Sequence, residues 1–225
     1  NFTVTKADPS VSVTTNSPVT YPSSSSASCS YSTLGNEGSV TLYRDGNPVS
    51  NPENIVLGAG TYNYSCTYSA TQNYTDGGDW ESHTVNQGTP SLSLSANPGW
   101  SVDYPTTVTV TGSGCPSELT CNLYRNNTLL AGSSDGPTKW GTGTYVYVYN
   151  TSGNANYTSA STSNTLTVNK GTPSLHLYLN GSESDVNCNA VQCGINATGT
   201  GCPTDGANDV TCNLYENGTS VTNPR

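Results

Sequence analysis

Eight cysteines, two histidines and one short acidic run are the residues of this 225-residue chain whose types could do chemistry. Cys29, Cys66, Cys115, Cys121, Cys188, Cys193, Cys202 and Cys212 could form disulfides or ligate a metal. The last four could offer four thiolates to one zinc ion, yet neither spacing contains the CxxC knuckle of such sites. An even cysteine count in a chain rich in Ser, Thr and Asn points instead to disulfides and an oxidising compartment. His83 and His176 have no Cys, Ser or carboxylate at a telling spacing, so both read as surface histidines. Asp76, Asp79 and Glu81 in "TDGGDWES" could hold calcium through oxygen, but a loop built of turn formers is the plainer reading. Trp80, Trp100 and Trp140 could stack on sugar rings, or fill a thin core and its rim. No catalytic residue, metal or cofactor is expected.

Those residues need elements to position them, and composition bounds what the elements are. Only 9% of the chain is charged and 32% is hydrophobic, below ordinary globular usage. Tyr occurs 15 times against one Phe, which suits pleated strands with a polar outer face. A formal charge of −9 disfavours nucleic acid and anionic lipid as partners. No apolar run approaches the ~18 residues of a membrane helix. Met is absent and no leader opens the chain, so it reads as a mature or excised segment.

The chain repeats itself. "TVNQGTPSLSL" at Thr84–Leu94 returns as "TVNKGTPSLHL" at Thr167–Leu177, and "TVTKADPSVSV" at Thr3–Val13 is a third relative. "VTLYRDG" at Val40 returns as "CNLYRNN" at Cys121 and "CNLYENG" at Cys212, while "NYT" occurs at Asn73 and Asn156. Ordered matches of this kind mark tandem modules. Within each copy the apolar residues alternate, as at Val108 and Val110 or Leu166 and Val168, and turn signals such as Asp45-Gly46 lie between. The expectation is all-β: tandem β-sandwich repeats of about 80 residues, without helices. The chain divides into 1–6, the closing strand of a preceding or neighbouring module, then repeats at 7–86 and 87–169. An incomplete third repeat covers 170–225.

In "GAGTYNYSC" Tyr64 stands two residues before Cys66, with Cys29 upstream on an alternating segment. This resembles the paired cysteines and tyrosine corner of immunoglobulin-like sandwiches. "LTVNKGTPSL" resembles the last strand and junction of Ig-like tandem repeats in archaeal and bacterial surface, filament and adhesin proteins. The resemblance implies a Cys29–Cys66 bond between sheets, worth roughly 4 kcal/mol on the chain-entropy model. No Trp stands between those cysteines, and the second copy has Gly112 and Tyr149 near their places. It carries "GCPSELTC" instead, and the third copy "GCPTDGANDVTC", so Cys115–Cys121 and Cys202–Cys212 are each expected to clamp a turn between adjacent strands, at roughly 2–3 kcal/mol. Cys188 and Cys193 then pair with each other.

Nine sequons, at Asn1, Asn63, Asn73, Asn126, Asn150, Asn156, Asn180, Asn196 and Asn217, offer N-glycan acceptors, although this composition yields about as many by chance. Lys6 and Lys170 share a junction position beside turns and are expected to be exposed. The two ends suggest either a window on a longer repetitive protein or head-to-tail completion of one copy by another's first strand. Both give a non-catalytic structural subunit of an extracellular filament, stalk or surface layer. The alternative is an adhesin or carbohydrate-binding module that contacts surface glycans. Expected partners are copies of itself or further repeats, with neither nucleic acid nor membrane contact by this segment.

Overall fold

The computed structural model describes residues 2–172 and, beyond them, 176–179, 183, 197–200, 213–216 and 219–222. Cys188, Cys193, Cys202, Cys212, Asn1, Asn180, Asn196 and Asn217 lie outside the described residues. Asn1–Val102 with Thr106–Val168 form one compact unit, and Asp103–Pro105 with Asn169–Arg225 form a second.

The first repeat supplies eight strands: β1 (Ser10–Thr15), β2 (Val19–Thr20), β3 (Ser25–Ser32), β4 (Val40–Arg44), β5 (Asn47–Val49), β6 (Glu53–Ile55), β7 (Gly60–Tyr68) and β8 (Gly77–Asn86). They form a three-stranded sheet in the order β1-β3-β6 and a five-stranded sheet in the order β2-β8-β7-β4-β5. All pairs are antiparallel except β2 with β8, where Val19 lies beside Val85. The chain thus starts on one sheet and crosses to the edge of the other, an immunoglobulin-like arrangement. Between the sheets lie Val13, Ala27, Cys29, Leu42, Tyr64 and Cys66. Leu42, fully buried opposite Cys66, fills the place where antibody domains carry a Trp.

The second repeat builds the same sandwich from β9 (Ser93–Asn97), β10 (Ser101–Asp103), β11 (Thr107–Ser113), β12 (Asn122–Arg125), β13 (Thr128–Leu129), β14 (Ser134–Lys139), β15 (Gly143–Thr151) and β16 (Ala160–Asn169). The sheets run β14-β11-β9 and β10-β16-β15-β12-β13. Val108, Val110, Leu123, Tyr147 and Leu166 are fully buried between them. The β4–β5 and β12–β13 hairpins turn on Asp45-Gly46 and Asn126-Asn127, all four with positive φ as type I′ turns require. In the second unit, β17 (His176–Leu179) pairs antiparallel with β18 (Ala197–Thr200), and β19 (Leu214–Glu216) with β20 (Thr219–Val221). The protein is all-β, and among the described residues one 3-10 turn, Leu34–Asn36, is the only helical element.

Corresponding core positions in the two sandwiches are filled by different chemistry. Cys29 and Cys66 are disulfide-bonded, with Cα atoms 5.5 Å apart. At the matching place in the second repeat a Cβ on Gly112 would run into the Tyr149 ring, so an aromatic face lies on bare backbone where the first repeat has sulfur. Ser25 and His83 give way in the same manner to Val108 and Leu166, and all four are fully buried.

His83 therefore corrects the surface reading. It sits on the inward face of β8, with Nε2 2.8 Å from Ser25 Oγ and its ring edge-on to Tyr64 at 5.8 Å. Its Nδ1 is buried without a partner. Burial holds its pKa below the usual histidine value, with the Glu81 charge opposing weakly. An unfolded chain takes up the proton as pH falls below about 6.5, while the folded chain resists it, so acid erodes stability from there downward. Replacing Ser25→Val with His83→Leu installs the second repeat's own pair. Removing the orphaned nitrogen is expected to gain about 1–3 kcal/mol and to flatten the pH dependence between about pH 7 and 5. Calorimetry across that range checks it, and an unchanged acid slope would refute it.

Candidate functional site: the joint between repeats

Within the first unit the two sandwiches meet at residues 87–90, and this joint gathers hydrogen-bonded side chains from several distant segments. Gly88 N donates to Asn156 O at 3.0 Å, and Thr158 N donates back to Gly88 O at 2.9 Å. The linker thus forms a one-residue parallel bridge with the "NYT" segment of the repeat it enters. Gln87 Nε2 donates to the carbonyls of Asn154 and Ala155, both at 3.1 Å. Asn154 shapes the segment, its Oδ1 accepting from the backbone of Asn156 and Tyr157.

The outgoing end of the first repeat closes on this from the other side. Tyr21 N donates to Asn86 O at 2.9 Å, which holds Tyr21 beside the end of β8. Its ring meets Tyr157 edge-on at 5.2 Å, an arrangement aromatic pairs favour. Its hydroxyl donates to Glu118 Oε1 at 2.6 Å, and this bond is the main reason its pKa is raised. Ala59 N donates to Asn156 Oδ1 at 3.0 Å. The loop carrying Ala59 is braced by Tyr62, whose hydroxyl donates to Gly58 O at 2.9 Å.

Glu118 owes its position to a disulfide. Cys115 and Cys121 are bonded, with Cα atoms 6.2 Å apart, and they close the loop that carries it. That loop links β11 to β12, strands of opposite sheets, so the clamp ties the two sheets rather than neighbouring strands of one.

The incoming half of the joint occurs a second time. Ala7 N donates to Asn73 O and Thr75 N donates to Ala7 O, each at 2.9 Å, the same bridge on the other "NYT". Exposed Lys6 reaches Thr71 O at 2.6 Å, as Gln87 reaches Asn154. In the second unit the outgoing half recurs, with Tyr104 N donating to Asn169 O at 3.0 Å. A Cβ on Gly171 would collide with the Tyr104 carbonyl, and one on Gly88 with the Tyr21 carbonyl and the Tyr157 ring. Ala7, at the matching place in the first clasp, is exposed.

Gly88→Val should therefore wedge Tyr21 from Tyr157 at a cost of about 1–3 kcal/mol while both sandwiches stay folded. The expected readout is faster proteolysis between Gln87 and Pro90 and a broader size distribution in small-angle scattering. Unchanged cleavage and scattering would show that the glycine is dispensable.

The remaining candidates are scattered. Asp79 Oδ2 accepts from Val13 N at 3.0 Å, so it serves an edge strand. No group of three metal-ligating side chains exists among the described residues. Trp100 packs against Tyr147, while Trp140 lies beneath Arg125 and against Tyr145. Trp80 is 69% exposed on the outer face of β8. Of the described sequons, Asn156 is engaged in the joint, Asn73 Nδ2 donates to Glu37, Asn126 Oδ1 accepts from Val146 N, and Asn150 is half-buried. The side chain of Asn63 is exposed.

Sequence reasoning did not find the polar cluster buried in each sandwich. Tyr64 OH donates to Glu53 Oε2 at 2.6 Å and Arg44 pairs with the other carboxylate oxygen. Tyr147 OH and Arg125 converge on Asp135 Oδ2 at 2.7 and 2.6 Å. The tyrosine before Cys66 thus reaches a carboxylate, not a backbone carbonyl as in an antibody tyrosine corner. The signal was the recurrent Leu-Tyr-Arg ending β4 and β12.

Strand order and joint together define a tandem immunoglobulin-like β-sandwich protein. Among solved structures the chain is similar to the fibronectin(III)-like modules of Clostridium thermocellum CbhA, with 14% identity, a TM-score of 0.28, and coverage of 71% of this chain and 95% of that one. It is likewise similar to murine CEACAM1b, with 15% identity, a TM-score of 0.26, and coverage of 71% and 99%. No protein-family model matches the chain, and no curated protein sequence does.

Proposed function

We propose that this chain is a non-catalytic structural segment of a secreted or cell-surface protein, a stalk or filament of Ig-like repeats held in line by their joints. The observation that carries the proposal is the recurrence of one joint geometry, at Ala7 with Asn73–Thr75 and at Gly88 with Asn156–Thr158. A linker clasped by backbone bonds and an edge-on tyrosine pair transmits load and orientation, where a free linker would not. The disulfides at Cys29–Cys66 and Cys115–Cys121 support an oxidising compartment.

The first residues extend the reading. Phe2 and Val4 align with His83 and Val85 and with Leu166 and Val168, all inward-facing residues of a last strand. Here they are 93% and 83% exposed, directly before the Ala7 clasp. In the proposed array residues 2–6 close a module abutting the first repeat, supplied by further repeats or by a second copy. Ser25 and His83 stand at nucleophile–base distance, but both are sealed in the core and Nδ1 has no carboxylate, so the pair supports no hydrolase reading. Electron microscopy of native material tests the proposal: rows of beads in a stalk or polymer are expected, and discrete particles of one short chain would overturn it.

A further inference from the structure

The outer face of the five-stranded sheet in the first repeat carries three neighbouring residues that its twin lacks. On β7 the side chains of Thr61, Asn63, Ser65 and Thr67 point outward, opposite the buried Tyr64, Cys66 and Tyr68. On β8 the outward set includes Trp80, Ser82 and Thr84. Register places Ser65 directly beside Trp80, and Asn63 beside Ser82. Asn63 is thus the diagonal neighbour of Trp80, within reach of an indole. Asn63-Tyr64-Ser65 is a sequon whose acceptor and hydroxyl share the indole's face.

The second repeat has Val146 for Asn63, Val148 for Ser65 and Ser163 for Trp80 at the matching register. The acceptor, the hydroxyl and the aromatic are present together or absent together. Exposed aromatics occurring singly need no explanation. One that accompanies a sequon across two strands does, and here Tyr43 of β4 faces Ser65 from the other side of the same sheet.

We infer that Asn63 is an N-glycosylation site and that Trp80 is the platform on which its first sugar lies. The donor is a lipid-phosphate-linked oligosaccharide. The Asn63 amide nitrogen bonds to the anomeric carbon, the carbon–oxygen bond to phosphate breaks, and one amide proton is released as the lipid phosphate departs. The apolar face of the sugar then covers the indole, which strand register holds still. This inference rests on the surface reading above, because the transfer requires export.

The test uses the full chain from its native source and from a glycosylating host. Mass spectrometry is expected to find a glycan on the peptide containing Asn63. Ser65→Ala, which abolishes the sequon, should lower the melting temperature by roughly 2–4 °C and shift Trp emission to the red. The same substitution should do neither in a Trp80→Ser background. Unmodified Asn63 beside occupied sequons elsewhere would overturn this inference and leave the surface reading standing. Absence of any glycan on material retained inside the cell would count against both. Occupied Asn63 with the same response to Ser65→Ala whether Trp80 is kept or replaced would overturn the platform.

Discussion

Replacing Cys29 and Cys66 with Ala is expected to cost the first sandwich about 4 kcal/mol, because the bond closes a loop of 37 residues' separation. Native domains hold only about 5–15 kcal/mol in total, so this one change removes a large share. The cavity beside buried Leu42 adds to the loss. A different replacement, Cys29→Gly with Cys66→Tyr, imports the second repeat's solution and should retain more stability than the alanine pair, since the Tyr149 ring lies directly on Gly112. Calorimetry of the three proteins, oxidised throughout, ranks them. An alanine pair as stable as the parent would mean that the core carries itself without sulfur.

The second large effect lies in the buried polar cluster. Glu53→Ala leaves the Tyr64 hydroxyl and the Arg44 guanidinium without their shared acceptor, and a broken buried pair typically costs about 3–5 kcal/mol. Glu53→Gln keeps an acceptor and should cost less, as should Asp135→Asn against Asp135→Ala. Burial first, then the bond to Glu53, pushes the Tyr64 pKa up to about 12. The sign follows: unfolded tyrosines ionise near 10 while Tyr64 keeps its proton, so stability holds below about pH 10 and falls between about 10 and 12. Tyr147 is raised in the same sense, by burial and by Asp135. Ultraviolet titration should therefore show two tyrosines ionising only as the protein unfolds. If all of them ionised together near pH 10, the ordinary tyrosine value, the clusters would not be closed.

Much of the architecture is legible before any coordinates. Alternation at Val108 and Val110 gives the strand face, Asp45-Gly46 gives the hairpin, and repetition gives the module. Legibility fails where a partner is remote or displaced. His83 stands between Ser and Thr, and its partner is 58 residues away, so it reads as surface. The missed signal was its alignment with Leu166, which places it in a core column. The carboxylates Glu53 and Asp135 do not align, because an irregularity opposite Val108–Val110 shifts the register. "NYT" was visible as a recurrence, but its main work is done by backbone atoms whose side chains give no hint of it.

The bridge at "NYT" has a bearing on how such a protein is inherited. Its two halves are both written into the repeat: a clasp at the entrance, and at the exit a tyrosine whose N–H is bonded to the last strand. A duplicated repeat therefore arrives already fitted to its neighbours, and no complementary surface has to arise by separate mutation. Interiors can then diverge freely, as sulfur, imidazole and aromatic fillings have between these two copies. Arrays of this kind can lengthen or shorten by recombination within a gene without passing through an unfit intermediate.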